Sequence, residues 1–185
     1  MQSPSLSLSN MEPTIQVATL ADIPDLLRLV NSAYRGEEAK KGWTHEANLV
    51  QGDLRADEAS IEEMIRNPNA VILKHADNNQ LTGCVYLEKK QDRLYLGLLS
   101  VSPDVQTKGI GKKLLHAAEN YAMDNNCSII EMTVISARSE LIAWYERNGY
   151  HQTNQTKPFH NNERFGVPVV PIEFVVMERK VKGEK

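Results

Sequence analysis

The stretch from Leu94 to Leu115 constrains this chain more than any other. It reads Leu-Tyr-Leu-Gly-Leu-Leu-Ser-Val-Ser-Pro-Asp-Val-Gln-Thr-Lys-Gly-Ile-Gly-Lys-Lys-Leu-Leu. The nearly continuous apolar run predicts a strand over Arg93 to Val101 with both faces buried. A polar turn then leads into a helix whose apolar face is Ile110, Leu114, Leu115, Ala118 and Tyr121. The first-turn N–H groups of such a helix lack intrahelical partners and carry the positive end of its dipole. Gly109 and Gly111 remove the Cβ atoms that would hold an anion away from those donors. Lys108, Lys112 and Lys113 add positive charge nearby. This arrangement suits a diphosphate. A P-loop would need Gly where Gln106 stands and Ser or Thr where Lys113 stands. A dinucleotide fingerprint would need Gly in place of Leu114.

Around this stretch the chain alternates strand and helix signals. Thr14 to Ala18 predicts a short strand. Ala21 to Tyr34 carries Ile23, Leu26, Leu27 and Val30 at helical spacing, with Asp22 and Pro24 as start signals. Tyr34 to Arg55 is polar and punctuated by Gly36, Gly42 and Gly52, as a surface loop or short helix would be. Ser60 to Ile65 predicts a helix ended by Asn67-Pro68. Strands follow at Ala70 to His75 and Leu81 to Lys89, with Asp77-Asn-Asn as the hairpin turn between them. After the helix at Gly109 to Asn125 come a strand at Ser128 to Val134 and a helix from Ser139 to Asn148, with Gly149 at its C-cap. Weak strands at Tyr150 to Gln152 and Glu173 to Lys180 close the pattern. The order predicts one α/β domain over residues 14–185, behind a disordered, Ser- and Pro-rich arm at 1–13.

The pattern Gln106-x-x-Gly109-x-Gly111, set between that strand and that helix, resembles the signature of the GNAT superfamily of acetyl-CoA-dependent N-acetyltransferases. So does the later helix that carries Tyr145 and ends Asn-Gly-Tyr. The resemblance runs from about Thr14 to Lys180 in order of elements and is close over Arg93 to Gln152. It implies a mixed, mostly antiparallel central sheet flanked by helices. It also implies acetyl-CoA as co-substrate, its pyrophosphate held by the backbone of Val105 to Lys112. That segment takes in Gln106, Thr107, Lys108, Gly109, Ile110 and Gly111. The pantetheine arm would pair with the backbone of Leu99 to Val101, Ser100 included. Where the family often has Asn between strand and helix, this chain has Ser136.

Acetyl transfer to an amine requires a neutral amine, a donor for the carbonyl oxygen and a proton for the leaving thiolate. A thiol titrates near ~8.5 and a phenol near ~10, so a tyrosine beside the sulfur stays protonated at neutral pH. Tyr145 matches the family's tyrosine acid. It also lies four residues after Leu141 on one helical face, where packing alone would explain it. Trp144 and Tyr150 read as core, and His116 as packing. Trp43, His45 and Glu46 fall in the segment that flanks the acceptor pocket in similar enzymes. Glu46 is the candidate to attract the ammonium group or relay its proton, and Trp43 and His45 to line the pocket. Phe159, Arg164 and Phe165 would form an opposite wall. A loop carboxylate is as often merely solvated, a tryptophan there could simply plug the core edge, and Glu88 and Glu131 read as exposed strand positions. The competing reading is a catalytically idle acyl-CoA-binding or regulatory module.

Composition narrows the remaining classes. The chain has 185 residues, with 21 Lys and Arg against 24 Asp and Glu, a net charge of −3. That balance disfavours nucleic-acid binding. No apolar run approaches a membrane span. Two cysteines outside any CxxC pair leave no disulfide framework, and no metal cluster is visible. Without a basic-then-apolar leader the expected compartment is cytoplasmic. The acceptor is expected to be a small-molecule or peptide amine of unspecified identity. Oligomeric state, a homodimer included, stays open.

Overall fold

Two asparagines fold the chain back between the second and third strands of its sheet. Asn78 and Asn79 both take positive φ, 48° and 62°, as a two-residue primed hairpin turn requires. In the computed structural model, which describes residues 13–159 and 165–182, the chain opens with β1 (Thr14–Val17) and α1 (Ile23–Tyr34). A short α2 (Gly36–Ala39), β2 (Val50–Gln51) and α3 (Glu58–Arg66) follow. The hairpin joins β3 (Ala70–Asp77) to β4 (Gln80–Lys90), and β5 (Arg93–Val101) comes next. Then come α4 (Ile110–Asp124), β6 (Ile129–Ile135), α5 (Ser139–Arg147) and β7 (His151–Pro158). The two-residue β8 (Val167–Pro168) and β9 (Glu173–Lys180) complete the order. Apart from Pro13, the expected N-terminal arm lies outside the described residues, as does Arg164.

Seven strands form one sheet in the order β1-β3-β4-β5-β6-β9-β7, while β2 and β8 pair separately. Every pairing is antiparallel except β5 with β6. The sheet is therefore mixed and mostly antiparallel, with helices on both faces. The period-two alternation of β4 shows how it is covered. Cys84 and Tyr86 point into a core made with Leu26, Val30 and Ile61 of α1 and α3. Val85 and Leu87 point the other way, to Leu114, Leu115 and Ala118 of α4.

The same alternation fails in β5, and the failure shapes the site. Leu94 and Leu96 join the α4 side, but Leu98, also an even-numbered position, joins the α1 side. Between Tyr86↔Gly97 and Cys84↔Ser100 the register slips, so Leu98 and Leu99 have no partner on β4. Leu98 takes φ 53°. This is a β-bulge, which bends its strand and increases the local twist. β5 pairs with β6 only at Arg93↔Ile129, Leu94↔Ile130 and Tyr95↔Glu131, whereas β6 stays with β9 as far as Ile135↔Phe174. Beyond Tyr95 the two parallel strands part. The expectation that β5 is buried on both faces is corrected here. Tyr95, Gly97, Leu99 and Val101 are only half-buried, because the parted strands leave space beside them.

On the α1 side, Asn31 fixes the segment that leads into α3. Its Oδ1 accepts from the N–H groups of Arg55 (2.6 Å) and Ala56 (3.1 Å), and its Nδ2 donates to the Ala56 carbonyl at 3.0 Å. Asn31→Ala strands two part-buried donors and should lower the free energy of unfolding by about 2 kcal/mol. Urea denaturation should show a reduced midpoint at unchanged slope.

Candidate active site

The turn after β5 is a 3-10 helix, Pro103–Lys108, closed by Gly109 at φ 75°. A Cβ at Gly109 would meet nothing within 4 Å, so the left-handed backbone and not crowding calls for glycine there. The first bond of α4 runs from the Lys113 N–H to the Gly109 carbonyl at 3.2 Å. The N–H groups of Ile110, Gly111 and Lys112 thus have no intrahelical acceptor. Gly111 is needed for a different reason: a Cβ there would press on the Trp144 ring at 3.2 Å. Lys108 and Lys112 are exposed, and the Ile110 side chain is buried in the core. Gln106 turns inward. Its Nε2 donates to Thr44 Oγ1 at 2.8 Å and to the Val101 carbonyl at 3.2 Å, while its Oε1 accepts from the Trp43 N–H at 3.0 Å. The side chain therefore ties the turn to the loop after α2.

Two cavities lie against these elements. The larger, about 650 Å³, is walled by Val101, Thr107, Gly109, Gly111, Lys112 and Trp144, among others. The smaller, about 250 Å³, occupies the gap between β5 and β6 and is lined by Tyr95, Gly97, Met132 and Phe174. Tyr34, Leu99, Leu141 and Tyr145 line both. The junction of the two spaces is thus a pair of tyrosines beside the bulge. The Tyr34 hydroxyl donates to the Leu99 carbonyl, and Ser100, fully buried, donates to the Leu98 carbonyl at 3.0 Å.

Tyr145 is 6% exposed and packs edge-on between Trp144 (5.0 Å) and Tyr150 (5.8 Å). Burial pushes its phenol well above the ordinary value of 10.0, and burial first, then the Glu46 charge, pushes Tyr34 up to about 12. Both hydroxyls therefore keep their protons through the neutral range.

Glu46 lies on the wall of the smaller cavity, held by Arg35. The Arg35 Nε and Nη2 reach Glu46 Oε2 at 3.3 and 3.1 Å, and Nη1 donates to the Phe165 carbonyl at 2.8 Å. Their side chains are 3% and 12% exposed. Burial pulls the Arg35 guanidinium below its ordinary value, and Glu46 opposes that shift. Trp43 is 40% exposed and packs tilted against Trp144, with ring centroids 6.1 Å apart, on the wall of the larger cavity. His45 lines neither cavity, and its Nδ1 is buried with no partner among the described residues. Phe159 stacks on Phe174 at 5.4 Å. Tyr150 is core as expected, Trp144 is a half-buried cavity wall, and His116 is exposed, contrary to its expected packing. The backbone N–H of Ser136 is used by the Glu173 carbonyl at 2.9 Å. Sequence reasoning missed Tyr34, Arg55 and Arg138 as cavity residues. Tyr34 lies four residues after Val30 on the apolar stripe of α1 and reads only as core.

Residues 37–174 match the family model described as an acetyltransferase (GNAT) domain. The chain belongs to the GNAT acetyltransferase family. Among curated proteins it is similar to an uncharacterized N-acetyltransferase of Bacillus subtilis, 31% identical over 106 residues, or 54% of this chain and 71% of that one. It is also similar to an uncharacterized N-acetyltransferase of Methanocaldococcus jannaschii, 26% identical over 148 residues. That match covers 78% of this chain but only 63% of the relative's length. Among solved structures, the PaiA N-acetyltransferase of Thermoplasma acidophilum in complex with coenzyme A aligns with a TM-score of 0.67 at 18% identity, over 92% of this chain and 99% of that one. A ribosomal-protein-alanine N-acetyltransferase of Brucella melitensis aligns with a TM-score of 0.68 at 18% identity, over 90% and 99%. These likenesses establish the fold. Among the described residues no cluster of His, Cys, Asp and Glu could hold a metal, and no helix is long and apolar enough to cross a membrane.

The raised phenols carry a stability signature. Tyr34 ionises near 10.0 when unfolded and near about 12 when folded, so its contribution is complete below pH ~10 and is lost as pH rises through ~12. Melting temperature should fall steeply above pH 10 in the wild type and less steeply in Tyr34→Phe.

Proposed function

We propose that this GNAT protein transfers an acyl group from acetyl-CoA to a primary amine, with Tyr145 as the proton donor to sulfur. The observation that carries the reading is that Tyr145 and Leu99 line both cavities, with the unpaired N–H groups of α4 at the wall of the larger one. The residues fit the co-substrate in three respects. A left-handed Gly109 leaves open space at the helix start. The dipole and Lys112 favour a pyrophosphate there. The larger cavity runs beside Leu99 and Val101 at the end of β5, where an extended pantetheine arm would lie.

Bound acetyl-CoA supplies an activated thioester: the amine nitrogen bonds to the acyl carbon, the carbon–sulfur bond breaks, and the sulfur takes a proton. Tyr145 holds that proton at its Oη, and burial, by raising the phenol well above its ordinary value, keeps it there through the neutral range. The acceptor enters by the smaller cavity. There Glu46 is the wall carboxylate, a candidate to receive the ammonium proton directly or through water. Trp43, facing Trp144, would cover the cofactor side.

Asp tolerates a left-handed backbone, so Gly109→Asp tests charge at the helix start with little change of shape, and Gly109→Asn serves as its neutral control. By calorimetry, Asp should weaken acetyl-CoA binding at least about tenfold and Asn much less. Equal affinity in both variants would remove the pyrophosphate assignment. Tyr145→Phe should lower kcat on the order of a hundredfold with acetyl-CoA affinity retained. Wild-type turnover would end the acid role, and the absence of acceptor-dependent CoA release across a broad amine panel would favour the idle acyl-CoA-binding module.

A further inference from the structure

The charges around the smaller cavity do not suit a simple cation. Its charged lining residues are Glu46, Arg55 and Arg138, and the Glu46 charge is already met by the buried Arg35. Arg55 lies over the Tyr34 ring with its guanidinium carbon 5.7 Å from the centroid. Among the described residues the Arg138 side chain donates to the Trp43 carbonyl alone, at 3.4 Å. Neither has a carboxylate within ion-pair distance among the described residues. The rest of the wall mixes apolar residues such as Met132, Leu141 and Phe174 with Tyr34, Tyr95, Thr133 and Tyr145. Two uncompensated guanidinium groups at a partly desolvated space repel a polyamine and attract an anion, since low dielectric strengthens both effects. An arginine fork matches a carboxylate in shape as well as charge. At about 250 Å³ the space falls below the range that holds drug-sized ligands.

We infer that the acceptor carries its own carboxylate close to its amine, as a free α-amino acid does. This rests on the N-acetyltransferase reading above. The ammonium group faces the Leu99–Tyr145 junction and the carboxylate is met by Arg55 and Arg138. A peptide N-terminus has an amide where a free amino acid has its carboxylate, and so lacks the group the two arginines recognise.

The test uses the full chain with acetyl-CoA and L-alanine, L-methionine or L-phenylalanine. Each amino acid is compared with its own primary amide and its decarboxylated amine, and spermidine is added as a cationic probe. For at least one side chain, kcat/KM for the acid should exceed that for the amide and the amine at least about tenfold. In Arg55→Gln and in Arg138→Gln that ratio should fall toward one, with acetyl-CoA affinity measured as the control for folding. The inference is overturned if the amide, the amine or spermidine equals the acid, or if the ratio survives both substitutions. Should no amine stimulate CoA release, the N-acetyltransferase reading fails, and product binding still decides the inference. With CoA present, N-acetyl-L-methionine should then bind more tightly than its amide in the wild type, with the preference lost in both variants. Equal binding, or none, overturns it.

Discussion

Three residue pairs hold β5 to β6, ending at Tyr95↔Glu131, and the site depends on their stopping there. A parallel pair continued in the same register to Leu99 and Ile135 would fill the gap with ladder hydrogen bonds and leave no space behind Tyr145. The bulge at Leu98 and Leu99 prevents this by turning the end of β5. It also re-aims the side chains: Leu98 goes to the α1 core, while Leu99 is left at the junction of the two cavities. β6 does not follow, because its other edge is held by β9 along its whole length.

Two polar side chains brace the loops around this gap, Arg35 buried and Gln106 half-buried. Arg35 joins the end of α1 to Glu46 and to the Phe165 carbonyl. Gln106 joins the turn before α4 to Thr44 and Trp43. Both braces leave little room for variation. A Cβ at Gly166 would lie 2.4 Å from Arg35 Nη1, and one at Gly42 would lie 2.6 Å from Gln106 Oε1. Removing either partner of a buried ion pair such as Arg35–Glu46 typically costs about 3–5 kcal/mol. Glu46 is therefore structural whatever else it does, and any change of rate in its variants must be read beside their stability.

Local signals made most of the fold legible. Asn78-Asn79 specify a hairpin through φ preferences that act within a few residues, and the strand–turn–glycine–helix passage at 93–124 is legible for the same reason. The bulge is not. In Leu94-Tyr-Leu-Gly-Leu-Leu-Ser-Val, leucines stand at both even and odd positions, so nothing in the pattern marks where the face switches. The cavity's charge was equally hidden. Arg55 is placed by the Asn31 clamp on α1, and Arg138 by the turn between β6 and α5. Their shared wall with Glu46 arises only when the sheet brings them together. Gln106 stood out in the sequence, but its partners, Thr44 and Trp43, lie more than sixty positions away.

Hydrogen–deuterium exchange with and without CoA tests the central claim most directly, because it reads the backbone donors themselves. If the larger cavity beside the end of β5 and the start of α4 hold the cofactor, CoA should slow exchange at the amides of residues 99–101 and 106–112. The outer strands β1 and β7 should be left unchanged. Undiminished exchange across 99–112 with CoA bound, or protection confined to another part of the sheet, would contradict it.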